Sequence, residues 1–419
     1  MKKVVVIIDG LGDLPIKKFG NKTPLESADT PNLDAMAKNG SLGLMYPMKG
    51  DLIPQSDNAV VAILGNDPLI SSRGQFEAAG INVKLQRGDL ALRANFATVD
   101  NLKNKRLVDR RAGRTLTTKE AKQLAKALNK EVSLPVKFEF YQTLQHRGVL
   151  VLRGGFSDNI TDTDTHYANL NKNKRFLDSE SFSWSKALED DENTEFTANL
   201  VNSFIDQSFK VLNKHQINQI RRKRGLMPAN IILTRGAGIE IPKLKKIRKS
   251  MAIVNMPLEK GICKIAGMDV FHNEYPRMKG YDVYENLHQG LDKMIKFSVK
   301  MLKKKLKKYD FCYLHFKETD IPGHDNKPFE KKHMIEILDK KFFGFLKAYS
   351  EKNKVKILVT GDHSTPCNKK THTSDPLPLL FFSPGKDGDG TEFFGESQAR
   401  KGSLGKIKGK ELLKKVGFV

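Results

Sequence analysis

Apolar and polar positions along this chain follow two different periods. VVVII at residues 4–8 is an unbroken run of β-branched residues, the pattern of a strand buried on both faces in a parallel sheet covered by helices. VLVLR (149–153), ANIILT (229–234), FCYLHF (311–316) and KILVT (356–360) predict further strands. Between them the period changes. TPNLDAMAKNG predicts a helix with Thr30 as N-cap, Pro31 at the first helical position and Gly40 closing it. LTTKEAKQLAKALNK predicts another, with Thr117 and Glu120 at capping-box spacing and Ala121, Leu124, Ala125 and Leu128 on one face. This alternation is the signature of α/β architecture, and no internal repeat interrupts it.

At 419 residues and 39% hydrophobic content, the chain is long enough for two to three domains and a large buried core. No apolar run approaches the roughly 18–20 residues a membrane helix needs. Met1-Lys2-Lys3 before VVVII imitates a signal peptide, but Asp9 interrupts the run too early, so a cytoplasmic protein without membrane association is expected. Cys263, Cys312 and Cys367 show no metal or redox spacing and read as reduced core thiols. EDDE at 189–192 reads as an exposed loop.

The formal charge of +24 raises the possibility of a nucleic-acid partner. Its densest run, KMLKKKLKKYD, lies in a helix where Leu291, Met294, Ile295, Val299, Leu302 and Leu306 recur at helical spacing, so those lysines form a solvated face. Arg221, Arg222, Lys223 and Arg224 read as a second surface patch. Without a zinc finger, an RRM signature or a helix-turn-helix pattern, the charge is read as surface chemistry that attracts small anionic substrates, with no nucleic-acid partner. The sequence sets no oligomeric state.

Three strand ends carry the chemistry. VVVII stops on Asp9; FCYLHF is followed by KETDIPGHD, with Asp320 and His324; KILVT is followed by GDHSTP, with Asp362 and His363, and then by His372. In open α/β sheets, ligands bind beyond the carboxyl ends of the strands. A mixture of carboxylates and imidazoles there suits Mn²⁺, Zn²⁺, Co²⁺ or Mg²⁺, and five to six such groups exceed what one ion needs, which implies two divalent ions. His315 lies within its strand and reads as an ordinary hydrogen-bonded histidine. Two-metal sites favour in-line phosphoryl displacement, which calls for a nucleophile. Ser56 in LIPQSDNAVVAILG, just ahead of a helix beginning near Asp57 and Asn58, would face an amino terminus suited to phosphate.

The motifs, in order, resemble those of the alkaline phosphatase superfamily and, within it, the archaeal-type cofactor-independent phosphoglycerate mutases. They include IIDGLGD, TPNLDAMAKNG, PQSDNAVVAILGNDP, DRRAGR, HRGVLVLRG, ITDTDTH, PANIILTRGAG, DIPGHD, GDHSTP and KTHTSDPLP, and span nearly the whole chain. The resemblance implies an α/β fold in which an alkaline-phosphatase-like parallel-sheet core, residues 1–75 and 246–419, carries an inserted α/β substrate-binding domain at 76–245. It implies one metal on Asp320, His324 and His372 and another on Asp9, Ser56, Asp362 and His363, with Mn²⁺ the first expectation and no 2,3-bisphosphoglycerate. The implied reaction interconverts 3-phosphoglycerate and 2-phosphoglycerate through a phosphoserine on Ser56. Lys260 would neutralise transition-state charge, and Arg110, Arg111, Arg114, His146, Arg147, Asp164 and Arg235 would hold substrate. Departures at Thr165 in DTDTH and in ETDIPGHD lie outside the proposed ligands. A related homoserine-kinase-like enzyme or a phosphatase on another small phosphoester is the alternative.

Overall fold

The computed structural model describes residues 1–70, 72–165, 169–170, 173–174, 181–278 and 280–419. His166 of the ITDTDTH motif lies outside them. Two sheets dominate. The larger is built from β1 (Lys3–Ile8), β2 (Gly40–Tyr46), β10 (Ser250–Ile253), β11 (Asp269–Phe271), β12 (Phe311–Phe316), β13 (Lys356–Thr360), β14 (Leu377–Phe382) and β15 (Gly405–Lys408). Their order is β11-β10-β12-β1-β13-β14-β2-β15, and only β14 runs antiparallel to its neighbours.

The VVVII run behaves as its composition requires. Val4, Val6 and Ile8 join one core with Leu33, Met36, Leu291 and Phe342, whereas Val5 and Ile7 join a separate core with Val60, Val61 and Ile262. All five are fully buried, each side chain worth about 1.5–3 kcal/mol of transfer free energy. Helices therefore cover both faces of the larger sheet. Within the long helix Val283–Lys305, Leu291, Met294, Ile295 and Leu302 are buried as the spacing predicts and Val299 is half-buried, while Lys303 and Lys304 are exposed and Lys305 lies half-buried over the Phe271 ring.

The smaller sheet contains β3 (Leu90–Val99), β4 (Leu107–Asp109), β5 (Phe138–Gln142), β6 (Arg147–Leu152) and β9 (Ile231–Gly238), all paired antiparallel. A short ribbon, β7 (Asn169–Leu170) with β8 (Asn173–Lys174), stands apart. The helix Thr118–Glu131 packs against β5 and the helix Glu192–Lys214 against β9, and their Leu124, Leu128, Phe204 and Leu212 join one core there. The helix Arg73–Gly80 ties the two sheets together. A Cβ at Gly80 would lie 1.8 Å from Pro257 O, and one at Gly261 would lie 1.7 Å from Phe76 O, so this helix contacts the helix Pro257–Ile265 backbone to backbone.

Several local expectations change. The Thr117–Glu120 capping box forms, but the Thr30 side chain does not cap its helix; its hydroxyl donates to Asp34 Oδ1 instead. The amides of Asn32 and Leu33 are capped from a distant segment by the carboxylate of Asp339. Gly40 begins β2 rather than closing the helix, which ends at Lys38. Arg221, expected on the surface, is fully buried. The three cysteines are buried and free, and residues 189–192 are exposed.

Candidate active site

The three acid-ended strands are neighbours. β1 lies between β12 and β13, parallel to both, with Ile8 opposite Phe316 and Ile7 opposite Thr360. Strands about 4.8 Å apart thus deliver Asp9, the Lys317–Asp320 segment and Asp362–His363 side by side at their carboxyl ends. Asp320 and His324 occupy one face of the short helix Asp320–His324, with His324 Nε2 at 3.4 Å from Asp320 Oδ2. His372, on the loop before β14, places Nε2 3.7 Å from Asp320 Oδ1 while its Nδ1 bonds Pro54 O.

The donor atoms fall into two groups, each within 4.8 Å: Asp320, His363 and His372 in one, Asp9, His315 and Asp362 in the other. The donors that the resemblance puts on one metal, Asp9, Asp362 and His363, are near neighbours as well, with His363 Nε2 3.5 Å from Asp362 Oδ2. His363 Nε2 lies 3.1 Å from Asp9 Oδ1 and so stands between the groups, while His324 joins through Asp320 and through its ring, 5.1 Å from that of His372. His315, read as an ordinary histidine, does hydrogen-bond Tyr313 through Nδ1 at 3.0 Å, yet its Nε2 points at Asp362 Oδ2, 3.6 Å away. Both of those atoms are buried without a hydrogen-bond partner among the described residues, as donors awaiting a cation would be. Buried oxygen and imidazole donors in this number fit divalent metal ions.

The electrostatics agree. Burial, together with the charge of Asp362, pushes Asp9 up to about 7 against the pull of Lys317. Burial would also raise Asp362, but His363, Lys317 and His315 hold it well below the usual carboxylate range. Burial disfavours the charged ring of His363, which Asp362 and Asp9 nevertheless raise to about 9. His315 is lowered to about 4 by burial and by Lys317. These carboxylates repel one another unless cations intervene.

Ser56 is the first residue of the helix Ser56–Ile63, one position further in than the sequence suggested, with Gln55 as N-cap. Its Oγ accepts from Lys317 Nζ at 3.3 Å and lies 3.4 Å from His363 Nε2. Lys317 also pairs with Asp9 and lies 3.0 Å from Glu259 Oε1. Lys260, the lysine expected here, is half-buried on the neighbouring helix and is not among the residues that line the cleft. Lys317 was not anticipated from the sequence, although it directly follows the buried strand β12.

Six arginines line the same cleft as Ser56 and form one wall of it: Arg93, Arg147 and Arg235 from β3, β6 and β9 of the smaller sheet, and Arg110, Arg111 and Arg114 from the turn after β4. Arg110 meets Asp164 through a two-pronged pair, Nε to Oδ1 at 3.0 Å and Nη2 to Oδ2 at 2.9 Å. Arg235 Nη1 donates to Gln55 Oε1 at 2.7 Å, beside the nucleophile candidate. Arg114 pairs with Asp325, one residue past His324. Burial, reinforced by Arg147 and Arg111, holds His146 well below its ordinary value, so its ring is neutral. Arg93, paired with Glu77, and Arg73, paired with Asp57, were not anticipated.

Comparison with known proteins follows the same lines. A family model described as 2,3-bisphosphoglycerate-independent phosphoglycerate mutase matches residues 37–218. The protein of that name from Thermococcus kodakarensis is 41% identical over 98% of this chain and 95% of its own length, and that from Pyrococcus abyssi is 41% identical over 98% and 96%. Among solved structures, a Pyrococcus horikoshii protein covers 100% of this chain and 98% of its own at 31% identity and a TM-score of 0.73. A cofactor-independent phosphoglycerate mutase from Thermoplasma acidophilum covers 100% and 99% at 28% identity and a TM-score of 0.56. Fold, site and relatives define an α/β isomerase of the intramolecular phosphotransferase class. The chain belongs to the 2,3-bisphosphoglycerate-independent phosphoglycerate mutase family.

Proposed function

We propose that this enzyme interconverts 3-phosphoglycerate and 2-phosphoglycerate through a phosphoserine on Ser56, with Asp9, Asp320, His324, Asp362, His363 and His372 holding two divalent ions, Mn²⁺ foremost. The observation that carries this reading is the convergence of three parallel strand ends on one serine hydroxyl that shares its cleft with an arginine wall. Bound divalent ions would polarise the phosphoryl group and favour the serine alkoxide.

The chain's own residues account for the rest. Lys317, donating to Ser56 Oγ, stabilises that oxygen as it loses its proton. The Ser56 oxygen attacks phosphorus, the bond to the C3 oxygen breaks, and the departing oxygen takes up a proton. Amides at the start of the helix Ser56–Ile63, which has no side-chain cap, favour the phosphate bound there. Freed glycerate is gripped through its carboxylate by the forks of Arg111, Arg114 and Arg147. Once it has turned, its 2-hydroxyl attacks the phosphoserine and releases Ser56. Residues 76–245 act as the inserted unit that closes over the core and keeps water from the phosphoserine.

No described helix is long and apolar enough to cross a membrane. A cytoplasmic setting with a small phosphoglycerate as the sole partner completes the proposal. Purified protein with Mn²⁺ should form 2-phosphoglycerate from 3-phosphoglycerate in an enolase-coupled assay and lose that activity on chelation. Release of free phosphate alone, or transfer from ATP to homoserine, would replace this reading.

A further inference from the structure

Arg221 touches neither the cleft nor the solvent, yet its guanidinium is bonded at every nitrogen. Nε donates to Met227 O at 2.9 Å, Nη1 to Thr115 O at 3.2 Å and to Glu120 Oε1 at 3.3 Å, and Nη2 to Thr115 Oγ1 at 2.8 Å and to Ala112 O at 3.3 Å. Three of these acceptors belong to Ala112 and Thr115, in or just after the turn that carries the cleft arginines. That turn has an unusual backbone: Ala112, Gly113 and Arg114 all lie in the left-handed region, with φ of 48°, 67° and 55°. Side chains with a Cβ rarely adopt this conformation, so an unsupported turn would relax and reorient its neighbours. Asp109 Oδ1 holds one side of the turn, accepting from the amides of Arg111 at 2.7 Å and Gly113 at 2.8 Å. Arg221 holds its carbonyl side.

From this geometry we infer that Arg221 is a positioning residue for substrate recognition: it fixes the left-handed turn so that Arg110, Arg111 and Arg114 project together into the cleft. The inference rests on the proposed substrate role of those arginines and extends it to a residue that never meets the substrate. A rigid planar fork suits the task, because one lysine ammonium cannot reach the Ala112 and Thr115 carbonyls, the Thr115 hydroxyl and Glu120 in the same geometry. Positioning errors of this kind weaken the grip on the carboxylate while leaving the phosphoryl-transfer residues in place.

Steady-state kinetics of Arg221→Lys, Thr115→Val and Arg111→Ala test the inference. Arg221→Lys and Thr115→Val should each raise KM for 3-phosphoglycerate, by about tenfold for Arg221→Lys, with kcat changed much less. Combining Arg221→Lys with Arg111→Ala should raise KM by less than the product of the two single effects, since both act through one turn. Thr115→Val removes two hydrogen bonds of the turn, the one accepted from Arg221 Nη2 and the one donated to Ala112 O at 3.3 Å, while leaving Arg221 in place, and keeps the test informative if Arg221→Lys folds poorly. If Arg111→Ala raises KM while Arg221→Lys and Thr115→Val leave it unchanged, or lower only the active fraction, the positioning role is overturned and the site reading stands. If Arg111→Ala also leaves KM unchanged, the site reading itself has failed.

Discussion

Lys331 Nζ lies 2.8 Å from Asp13 Oδ2, with both side chains wholly shut off from water. The ammonium also donates to Gly12 O at 3.1 Å and Thr365 O at 3.0 Å, and Asp13 accepts from the Cys367 amide at 3.1 Å. This ion pair therefore clamps the loop after β1, which carries Asp9, to the loop after β13, which carries Asp362 and His363. Removing one partner strands the other charge in a dry interior, at a cost of about 3–5 kcal/mol. Lys331→Met should lose that much stability in a urea titration, and a loss below about 1 kcal/mol would show that the clamp is dispensable.

The Arg114–Asp325 pair joins the arginine turn to the helix that carries His324. Arg114 Nη1 meets both Asp325 oxygens, at 2.6 and 2.7 Å, and Tyr284 Oη donates to Oδ2 at 2.8 Å. Both charged groups are partly exposed, so the pair contributes only about 1 kcal/mol to stability. Its effect should appear in partitioning instead, because it holds the arginine wall against the core. Asp325→Asn should raise phosphate release relative to 2-phosphoglycerate formation severalfold, as water gains access to the phosphoserine. An unchanged ratio in a dual phosphate and enolase-coupled assay would remove the pair from that role.

Glu396 offers a pH test remote from the cleft. Burial pushes its carboxyl up to about 7, only partly offset by the Thr23 hydroxyl and the Asp13 amide that it accepts. Because the folded value exceeds the unfolded one of about 4.5, the folded state favours the protonated form. That contribution is complete below about pH 4.5, declines as the pH rises, and is gone above about pH 7, a span of roughly 3 kcal/mol. Glu396→Gln should therefore be more stable than the parent at pH 8 and show little advantage at pH 4.5. Parallel thermal melts at the two values check it; an advantage independent of pH would contradict the assignment.

The central strands and their acidic ends were legible because a strand buried on both faces writes itself as an apolar run, and an aspartate that ends one stands out. The smaller sheet was harder to read. β3 is buried at all ten positions yet contains Arg93 and Asn95, whose polar heads serve the cleft and break the apolar pattern. Thr30 and Gly40 were misread for another reason: local propensity named a cap and a stop, while Asp339, some 300 residues away, supplies the cap through tertiary packing. Arg221 was hidden by its neighbours, since four consecutive basic residues look like a surface patch until the helix Gln216–Lys223 turns one of them inward. Lys317 carries no distinguishing mark, since a lysine after a strand is ordinary surface composition, although a buried acidic cluster calls for a cation beside it.

Ser56 gives the most direct test of the chemistry. Its Oγ makes two contacts, to Lys317 and His363, and each partner has others: Lys317 keeps Asp9 and Glu259, and His363 keeps Asp9 and the Thr365 hydroxyl at 3.0 Å. Alanine in its place leaves no buried group stranded, and alanine is well tolerated in the first turn of a helix. Ser56→Ala should therefore melt within about 1 kcal/mol of the parent while mutase turnover falls by at least about 10³-fold, the order expected when a nucleophile is removed. The parent, quenched in acid during turnover, should carry a phosphoryl group on the peptide containing Ser56, and the variant should carry none. Turnover that survives in the variant would exclude a phosphoserine route and leave direct transfer between the two hydroxyls of the substrate.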